Sequence, residues 1–207
     1  KMTSDEWLQN YFPGELFSGK FEHLKETIRK LDLKNQQSKI IIIAGTNGKG
    51  ETSRRIYSSL LEDGKSAALW TSPHLFTVNE RFNLNGIELD DSILIEEFER
   101  ISDDLKQFSF KYSYFEFLFL CFLSLVKKKG LDYLVLEVGL GGRLDAANCL
   151  DGDLFVLTSI SRDHQRFLGN TYRKILNEKL GVLREDKVFF SCLELNYLRR
   201  ITSTKAT

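Results

Sequence analysis

The 207-residue sequence has few cysteines, few prolines and no excess of charge of either sign. Its three cysteines, Cys121, Cys149 and Cys192, are too few and too scattered for a disulfide framework, and no Cys-x-x-Cys pair is present to bind zinc. Basic and acidic residues both number 29, and this zero net charge argues against a protein that binds nucleic acid. These absences favour the reducing cytoplasm.

We also expect no signal peptide and no membrane-spanning segment. The first residues lead directly into the polar segment 3–6, with no apolar region behind it. The most apolar stretch, 117–126, is half the length of about 20 residues that a bilayer requires. Three lysines follow it, which is typical of the C-terminal end of a buried core helix.

What the sequence does contain is an alternation of helical and strand patterns. Apolar residues at helical spacing predict helices near residues 17–35, 51–63, 92–106, 113–128 and 171–183. Apolar and β-branched runs predict strands at 39–44, 67–70, 131–138, 153–157 and 188–190. Residues 72–89 are predicted to be a long irregular loop, and Ser92 to cap the helix after it.

This alternation predicts an α/β fold with a mostly parallel sheet flanked by helices. Four consecutive isoleucines in the 39–44 strand fit a strand that is covered on both faces. With only two prolines and no repeat or low-complexity linker, the sequence offers no sign of a domain boundary. In such a sheet, ligands bind at the carboxyl ends of the strands.

The sharpest motif follows the isoleucine strand and precedes a helix. It reads Gly45-Thr46-Asn47-Gly48-Lys49-Gly50. Glycines allow the backbone to turn tightly and present N–H groups, the helix N-terminus attracts anions, and Lys49 can reach phosphates. The strict G-x-x-x-x-G-K-[ST] pattern is not met, because Ile43 replaces its first glycine and Gly50 follows the lysine. A plain glycine turn with a surface lysine is the alternative.

Two further segments follow in order: Thr71-Ser72-Pro73-His74, and the run from Leu136 to Ala146, which includes Gly-Leu-Gly-Gly-Arg-Leu-Asp-Ala. With the glycine motif, they resemble the folylpolyglutamate synthase and dihydrofolate synthase family of the Mur ligase group. Asp163-His164 and Glu178-Lys179-Leu180-Gly181 extend the resemblance, which covers about residues 17–184.

The resemblance implies ATP-dependent amide-bond formation in the cytoplasm, by a protein that is a monomer in its full-length form. ATP would phosphorylate a carboxylate of dihydropteroate or of a folate, and the amine of L-glutamate would displace the phosphate. ATP and Mg²⁺ are the implied cofactors, because phosphoryl transfer depends on positioning and on charge neutralisation. Small molecules are the implied partners, with no nucleic acid and no membrane.

The resemblance also assigns the phosphate and metal residues. Lys49 would contact the transferred phosphoryl group. Ser72 and Glu137 would hold one Mg²⁺ through oxygen atoms. For Ser72, a turn-capping role ahead of Pro73 is the alternative. His164 and Lys179 would belong to a second metal site, in which the lysine is typically carbamylated. The implied nucleotide contacts are Gly45, Thr46, Asn47, Gly48, Lys49, Gly50, Thr52 and Asn148. For His164 and Lys179, the residues alone favour structural roles.

A substrate side is implied as well, in the loop from Ser72 to Gly86. The residues assigned to it are His74, Phe76 and Arg81, with Glu116 from another segment. Phe76 would stack on a pterin and Arg81 would face a carboxylate. Asp145 would shape its loop. Packing or solvation explains Phe115 and Glu116 equally well, and the residues alone favour a surface or packing role for His23 and His74.

Three departures from the family pattern stand out. Glu51 occupies a position where the family has Ser or Thr, and a carboxylate there would repel phosphates, although Thr52 offers a hydroxyl one residue later. Ala147 replaces the threonine of a D-A-T-N turn, and Ser161-Arg162 replaces small or apolar residues. Family members are also substantially longer, so we expect residues 1–207 to be a truncated ATP-binding domain without the C-terminal ligase domain.

Two other functions remain open. The chain could be a non-catalytic remnant that keeps the fold with weak nucleotide affinity or none, as Glu51, Ala147 and the expected truncation suggest. A Mur-type ligase for cell-wall precursors is disfavoured by the Gly-Leu-Gly-Gly-Arg-Leu-Asp-Ala segment.

Overall fold

The computed structural model describes residues 2–12, 20–34, 37–161, 170–193 and 195–206. Within these ranges a seven-stranded sheet has the order β4-β3-β2-β5-β1-β6-β7. Strands β2, β5, β1, β6 and β7 are parallel, and the hairpin β3–β4 is antiparallel at one edge. The strands are β1 (Lys39–Ala44), β2 (Ala67–Trp70), β3 (Asn83–Leu84), β4 (Ile87–Glu88), β5 (Tyr133–Glu137), β6 (Leu154–Leu157) and β7 (Val188–Ser191).

Helices flank this sheet on both faces. They are α1 (Ser4–Tyr11), α2 (Phe21–Lys30), α3 (Lys49–Glu62), α4 (Asp91–Leu105), α5 (Tyr114–Lys129), α6 (Tyr172–Lys179) and α7 (Asn196–Ala206), with 3-10 turns η1 (Val78–Arg81), η2 (Ala146–Cys149) and η3 (Leu180–Val182). None of the helices in these ranges is long and apolar enough to cross a membrane.

The isoleucine strand β1 lies at the centre of the sheet and divides its side chains between two cores. Ile40 and Ile42 join the larger core with the apolar residues of α5, whereas Ile41 and Ile43 pack with Tyr57 of α3. All four isoleucines are buried, as expected for a strand covered on both faces. The predicted α/β class with a mostly parallel sheet is therefore confirmed.

Helix α5 shows how the sequence sets an element's ends. Ser113 and Glu116 form a capping box at its start, and Gly130 ends it in a left-handed conformation with φ 60°. Its residues from Phe117 to Val126 are all buried, so the most apolar stretch of the sequence is a core helix, as predicted. Trp70 packs against the rings of three phenylalanines of this helix.

Helices α1 and α7 were not predicted from the sequence, and the region 72–89 is more regular than predicted. Helix α1 begins with a capping box formed by Thr3 and Glu6, a pattern visible in the sequence. The loop predicted at 72–89 contains η1 and the hairpin β3–β4. The N-cap of α4 is Asp90, so the prediction that Ser92 caps this helix is wrong. Ser92 lies inside the first turn. The helix predicted to reach residue 183 ends at Lys179 and continues as η3.

Candidate functional site

The glycine motif forms a tight loop between β1 and α3. Gly45 has φ 154°, and a Cβ atom added there would lie 1.9 Å from Oγ1 of Thr158, so the loop requires glycine at this position. Gly48 is the N-cap of α3 in a left-handed conformation with φ 79°. The loop thus leads directly into the N-terminus of α3, whose first N–H groups have no partner within the helix, which is the arrangement expected of a phosphate site.

Hydroxyl groups that follow β6 hold this loop from the side. The N–H of Asn47 donates to Oγ of Ser159 (2.9 Å), and its carbonyl accepts from Oγ1 of Thr158 (2.7 Å). The hydroxyl of Thr46 accepts from the N–H of Ser161 (3.1 Å). Sequence reasoning missed Thr158 and Ser159. The polar residues directly after a buried strand were the available signal.

Two lysines approach the loop. Nζ of Lys49 donates to the carbonyl of Thr46 (3.3 Å), which keeps its ammonium at the loop. Nζ of Lys179 donates to the carbonyl of Gly45 (2.7 Å), and this side chain is only 4% exposed. The structure therefore places Lys179 against the glycine loop. Its assignment to a second metal site stays a prediction, and so does carbamylation of its amine.

Glu137 ends strand β5 beside the start of α3. It is 4% exposed, and its Oε2 accepts the backbone N–H of Ser72 (3.0 Å). A Cβ atom on Gly50 would lie 3.4 Å from the same oxygen, so the carboxylate contacts the first turn of α3. Burial raises the pKa of Glu137, although the nearby charges of Lys49, Arg54 and Arg81 oppose that rise.

This arrangement fits a divalent cation. A buried carboxylate whose pKa is raised lacks full compensation for its negative charge, and a Mg²⁺ ion would supply it. Glu137 and Ser72 carry the hard oxygen atoms that Mg²⁺ prefers. In the described ranges no group of three or more His, Cys, Asp or Glu side chains is gathered around one point, so water and phosphate oxygens would complete such a site.

The glycine-rich segment after β5 is organised by Asp145. Its Oδ2 accepts the N–H groups of Gly139 (2.9 Å) and Leu140 (3.2 Å), and its Oδ1 accepts that of Ala147 (3.0 Å). Burial raises the pKa of Asp145 to about 6 against the effect of these hydrogen bonds. Ala147 takes part through its backbone, which does not require the threonine of the family pattern.

Two residues tie this segment to α6 and η3. A Cβ atom on Gly142 would lie 2.9 Å from the carbonyl oxygens of Glu178 and Lys179, so only glycine allows the close approach. The Asn148 amide donates to the carbonyl of Arg143 (2.7 Å) and accepts from Arg184 (2.8 Å). These contacts support the loop-shaping role predicted for this region. Nucleotide contact by Asn148 stays a prediction.

The loop after β2 carries the predicted substrate residues. Glu80 accepts the N–H groups of Leu75 (2.9 Å), Phe76 (2.6 Å) and Thr77 (3.0 Å). The N–H of Arg81 at Nε donates to Nδ1 of His74 (2.9 Å), and Arg81 is buried with its guanidinium 5.7 Å from the centre of the Tyr114 ring. Phe76 is 89% exposed and therefore free of the core.

Three other predicted residues have contacts that bear on their roles. The Glu116 carboxylate accepts the N–H of Ser113 (2.7 Å) in the capping box of α5, so it has a structural contact in addition to any ligand role. Glu51 is turned along α3 and pairs with Arg55 (2.7 Å). Thr52 lies in the first turn of α3, where its N–H donates to Gly48 (3.0 Å).

The remaining predicted residues lie elsewhere. Asp163 and His164 fall outside the described residues. His23 stacks on Phe110 with ring centres 4.0 Å apart, in agreement with a packing role. The structure thus brings together the glycine loop, Lys49, Lys179, Ser72 and Glu137 at the carboxyl edge of the sheet. His74, Phe76 and Arg81 follow Ser72 along the same loop.

No family model matches the chain, but individual relatives do. The dihydrofolate synthase/folylpolyglutamate synthase of Buchnera aphidicola is 41% identical over 165 residues, covering 80% of this chain and 40% of its own length. Escherichia coli FolC in complex with ADP superposes with a TM-score of 0.88 at 33% identity, over 99% of this chain and 49% of that chain.

A third comparison includes bound ligands. A bifunctional folylpolyglutamate synthase/dihydrofolate synthase with Mn, AMPPNP and L-glutamate bound has a TM-score of 0.88 at 34% identity, over 100% of this chain and 50% of that chain. The chain thus spans about 40% of the length of the curated relative and about half of the solved chains. These similarities confirm the resemblance to the folylpolyglutamate synthase and dihydrofolate synthase family and the fold that it implies.

Proposed function

We propose that residues 1–207, with their likeness to this family, form the ATP-binding part of a ligase that joins L-glutamate to a carboxylate of dihydropteroate or a folate. The carboxylate would first take the γ-phosphoryl group of ATP, and the amine of glutamate would then displace phosphate. The observation that carries this proposal is the placement of buried Glu137 and Ser72 beside the glycine loop and the first turn of α3.

The chain's own residues would hold the triphosphate in two ways. The N–H groups of Thr46 and Asn47 donate to Ser159, so the first turn of α3 after Gly48 would supply the N–H groups that bind anions. Lys49 would move its ammonium from the Thr46 carbonyl to the transferred phosphoryl group. Because Glu51 pairs with Arg55, its negative charge is partly balanced on the outer surface of α3.

Glu137 and Ser72 would hold Mg²⁺ at this loop. The ion, when bound, neutralises charge on the phosphate oxygens. Glu137 is kept in place by the N–H of Ser72, and its burial excludes water from one side of the carboxylate. Lys179 holds the glycine loop through its hydrogen bond to the Gly45 carbonyl. We propose a catalytic role for Lys179 and His164, as the resemblance implies.

On the substrate side, Phe76 would stack on the flat pterin ring and Arg81 would face a carboxylate. Burial lowers the pKa of His74, so at neutral pH its ring is uncharged. Its Nδ1 can then accept the hydrogen bond from Nε of Arg81. Glu116 would contact substrate from the start of α5. We further propose a monomer of the cytoplasm that acts on small molecules, in keeping with its free cysteines.

A calorimetric titration of Mg·ATP tests the nucleotide site. The wild-type chain should bind, and Lys49→Ala should weaken binding at least about tenfold, because a charged contact to phosphate is lost. Lys65→Ala is the matched control, since Lys65 is an exposed lysine beyond the other end of α3. Equal affinity in Lys49→Ala and Lys65→Ala would reject the phosphate-loop assignment. No binding by any variant would favour the non-catalytic remnant.

Glutamate addition is a separate test. Release of ADP that depends on both dihydropteroate or folate and L-glutamate would support ligase activity. ATP binding without such release would restrict the function to nucleotide binding. Turnover with nucleotide-linked peptide precursors instead would identify a Mur-type ligase.

A further inference from the structure

Leu75 and Phe76 form an exposed apolar pair in the loop after β2. Leu75 is 83% exposed and Phe76 is 89% exposed, the two highest values among the large apolar side chains of the described ranges. An exposed pair of this kind costs free energy in water and is a common feature of a binding surface. The backbone that carries the pair is nevertheless well fixed.

The carboxylate of Glu80 provides much of that fixation. One oxygen accepts the N–H groups of Phe76 and Thr77, and the other accepts that of Leu75. Three consecutive N–H groups therefore converge on one side chain, and the backbone of the pair curves around it. Hydrogen bonds to an ionised carboxylate are stronger than those between neutral groups.

The far end of the loop is anchored separately. The carboxylate of Asp5 in α1 accepts the N–H of Val78 through both oxygens (3.3 Å each). The side chain of Asn79 donates to the carbonyl of Leu89 (2.9 Å) and to Asp91 (3.2 Å). Since Val78 and Asn79 are buried and held by other elements, Glu80 itself stands on a rigid base.

We propose that Glu80 is a positioning residue that presents Leu75 and Phe76 as a preformed apolar contact for the flat aromatic part of the substrate. The proposal rests on the proposed function, because it takes a pteroate compound as the occupant. Glu80 acts through the backbone of its neighbours and need not touch the substrate. Fixing the pair in advance lowers the entropy cost of binding.

A double-mutant cycle tests the proposal in this chain, with dihydropteroate as the probe and calorimetry as the measurement. Glu80→Ala and Phe76→Ala should each raise the dissociation constant about 3- to 10-fold, as expected for one ring contact. The double variant should be little weaker than either single variant, because both remove the same contact. Glu88→Ala, an exposed carboxylate of β4, is the control and should bind as the wild type does.

Amide hydrogen exchange supplies a readout that needs no substrate. Glu80→Ala should speed exchange about tenfold or more at Leu75, Phe76 and Thr77, while Val78 stays protected through Asp5. A merely structural role would speed exchange throughout η1 and would lower affinity for Mg·ATP as well.

The outcomes separate this proposal from the proposed function. Additive losses in the cycle, or unchanged exchange at the three amides, would overturn the role of Glu80 even if dihydropteroate binds. Absence of dihydropteroate binding by the wild-type chain would overturn both the occupant and this role. Retained Mg·ATP binding in that case would show that the nucleotide part of the proposed function stands.

Discussion

The loops after the neighbouring strands β2 and β5 are each organised by one carboxylate that accepts three backbone N–H groups, yet the two carboxylates titrate in opposite directions. Asp145, after β5, is 7% exposed, and burial raises its pKa to about 6. Glu80, after β2, is only partly buried, and the N–H groups of Leu75 and Thr77 lower its pKa to about 2.

Desolvation, rather than the number of hydrogen bonds, therefore sets the direction of the pKa shift in these two carboxyl groups. In the buried loop the cost of removing a charge from water exceeds what three N–H donors return. In the open loop water still solvates the carboxylate, so the same donors stabilise its charged form. The loop after β5 is therefore part of the core of the site. The loop after β2 can be altered with a smaller loss of folding stability.

The largest expected effect breaks the buried loop. Asp145→Ala removes a buried acceptor that holds three N–H groups of the loop, so we expect a loss of about 2–4 kcal/mol in the free energy of unfolding. Glu80→Ala should cost less, about 1–2 kcal/mol, because Glu80 is only partly buried and water can replace part of what the carboxylate provides. Urea unfolding at pH 7 measures both, and equal losses would show that burial does not separate the two loops.

The contributions of Asp145 and Glu80 to folding stability should depend on pH with opposite signs. Asp145 has a folded pKa above its ordinary value of 3.8, so the stability gained from its protonation is fully present below about pH 4 and is lost as the pH rises through about 6, whereas its role as acceptor of three N–H groups does not depend on that proton. Glu80 has a lowered pKa, so its contribution is present above its ordinary pKa of 4.5 and is lost as the pH falls through about 2.

Urea unfolding from pH 4 to pH 7 checks this sign. The stability of the wild-type chain relative to Asp145→Asn should fall by about 2 kcal/mol over that range, because the variant cannot titrate. Glu80→Gln should run parallel to the wild type between pH 5 and pH 7. If the stability of Asp145→Asn runs parallel to that of the wild type over this pH range, the Asp145 carboxyl has an ordinary pKa in the folded chain.

The comparison also marks how far the sequence could predict the site. The isoleucine strand, the glycine loop and Lys49 were predictable, because a buried parallel strand followed by a glycine turn and a helix leaves few alternatives. The closeness of Glu137 to Ser72 was expected only through the family resemblance. The two residues are 65 positions apart in the sequence, and the pairing of β2 with β5 brings them together. No local sequence pattern predicts that pairing.

Other features depended on burial and on long-range contacts. That Lys179 reaches the Gly45 carbonyl follows from the packing of Gly142 against the end of α6, which spacing alone does not reveal. The anchoring of Val78 by Asp5 joins two segments 73 residues apart. Helix α1 was missed although its capping box is local, since no long apolar pattern accompanies a helix of eight residues.

The smallest expected effect on folding concerns the exposed pair itself. Leu75→Ala and Phe76→Ala should change the free energy of unfolding by less than about 0.5 kcal/mol, because these side chains bury little surface. Phe119→Ala in α5, whose ring is fully buried against Trp70, should cost about 3–5 kcal/mol and serves as the reference. Urea unfolding at pH 7 measures all three. A loss above about 1 kcal/mol in Phe76→Ala would mean that its ring packs onto the protein in solution, and a ring that packs there would not be available to stack on a substrate.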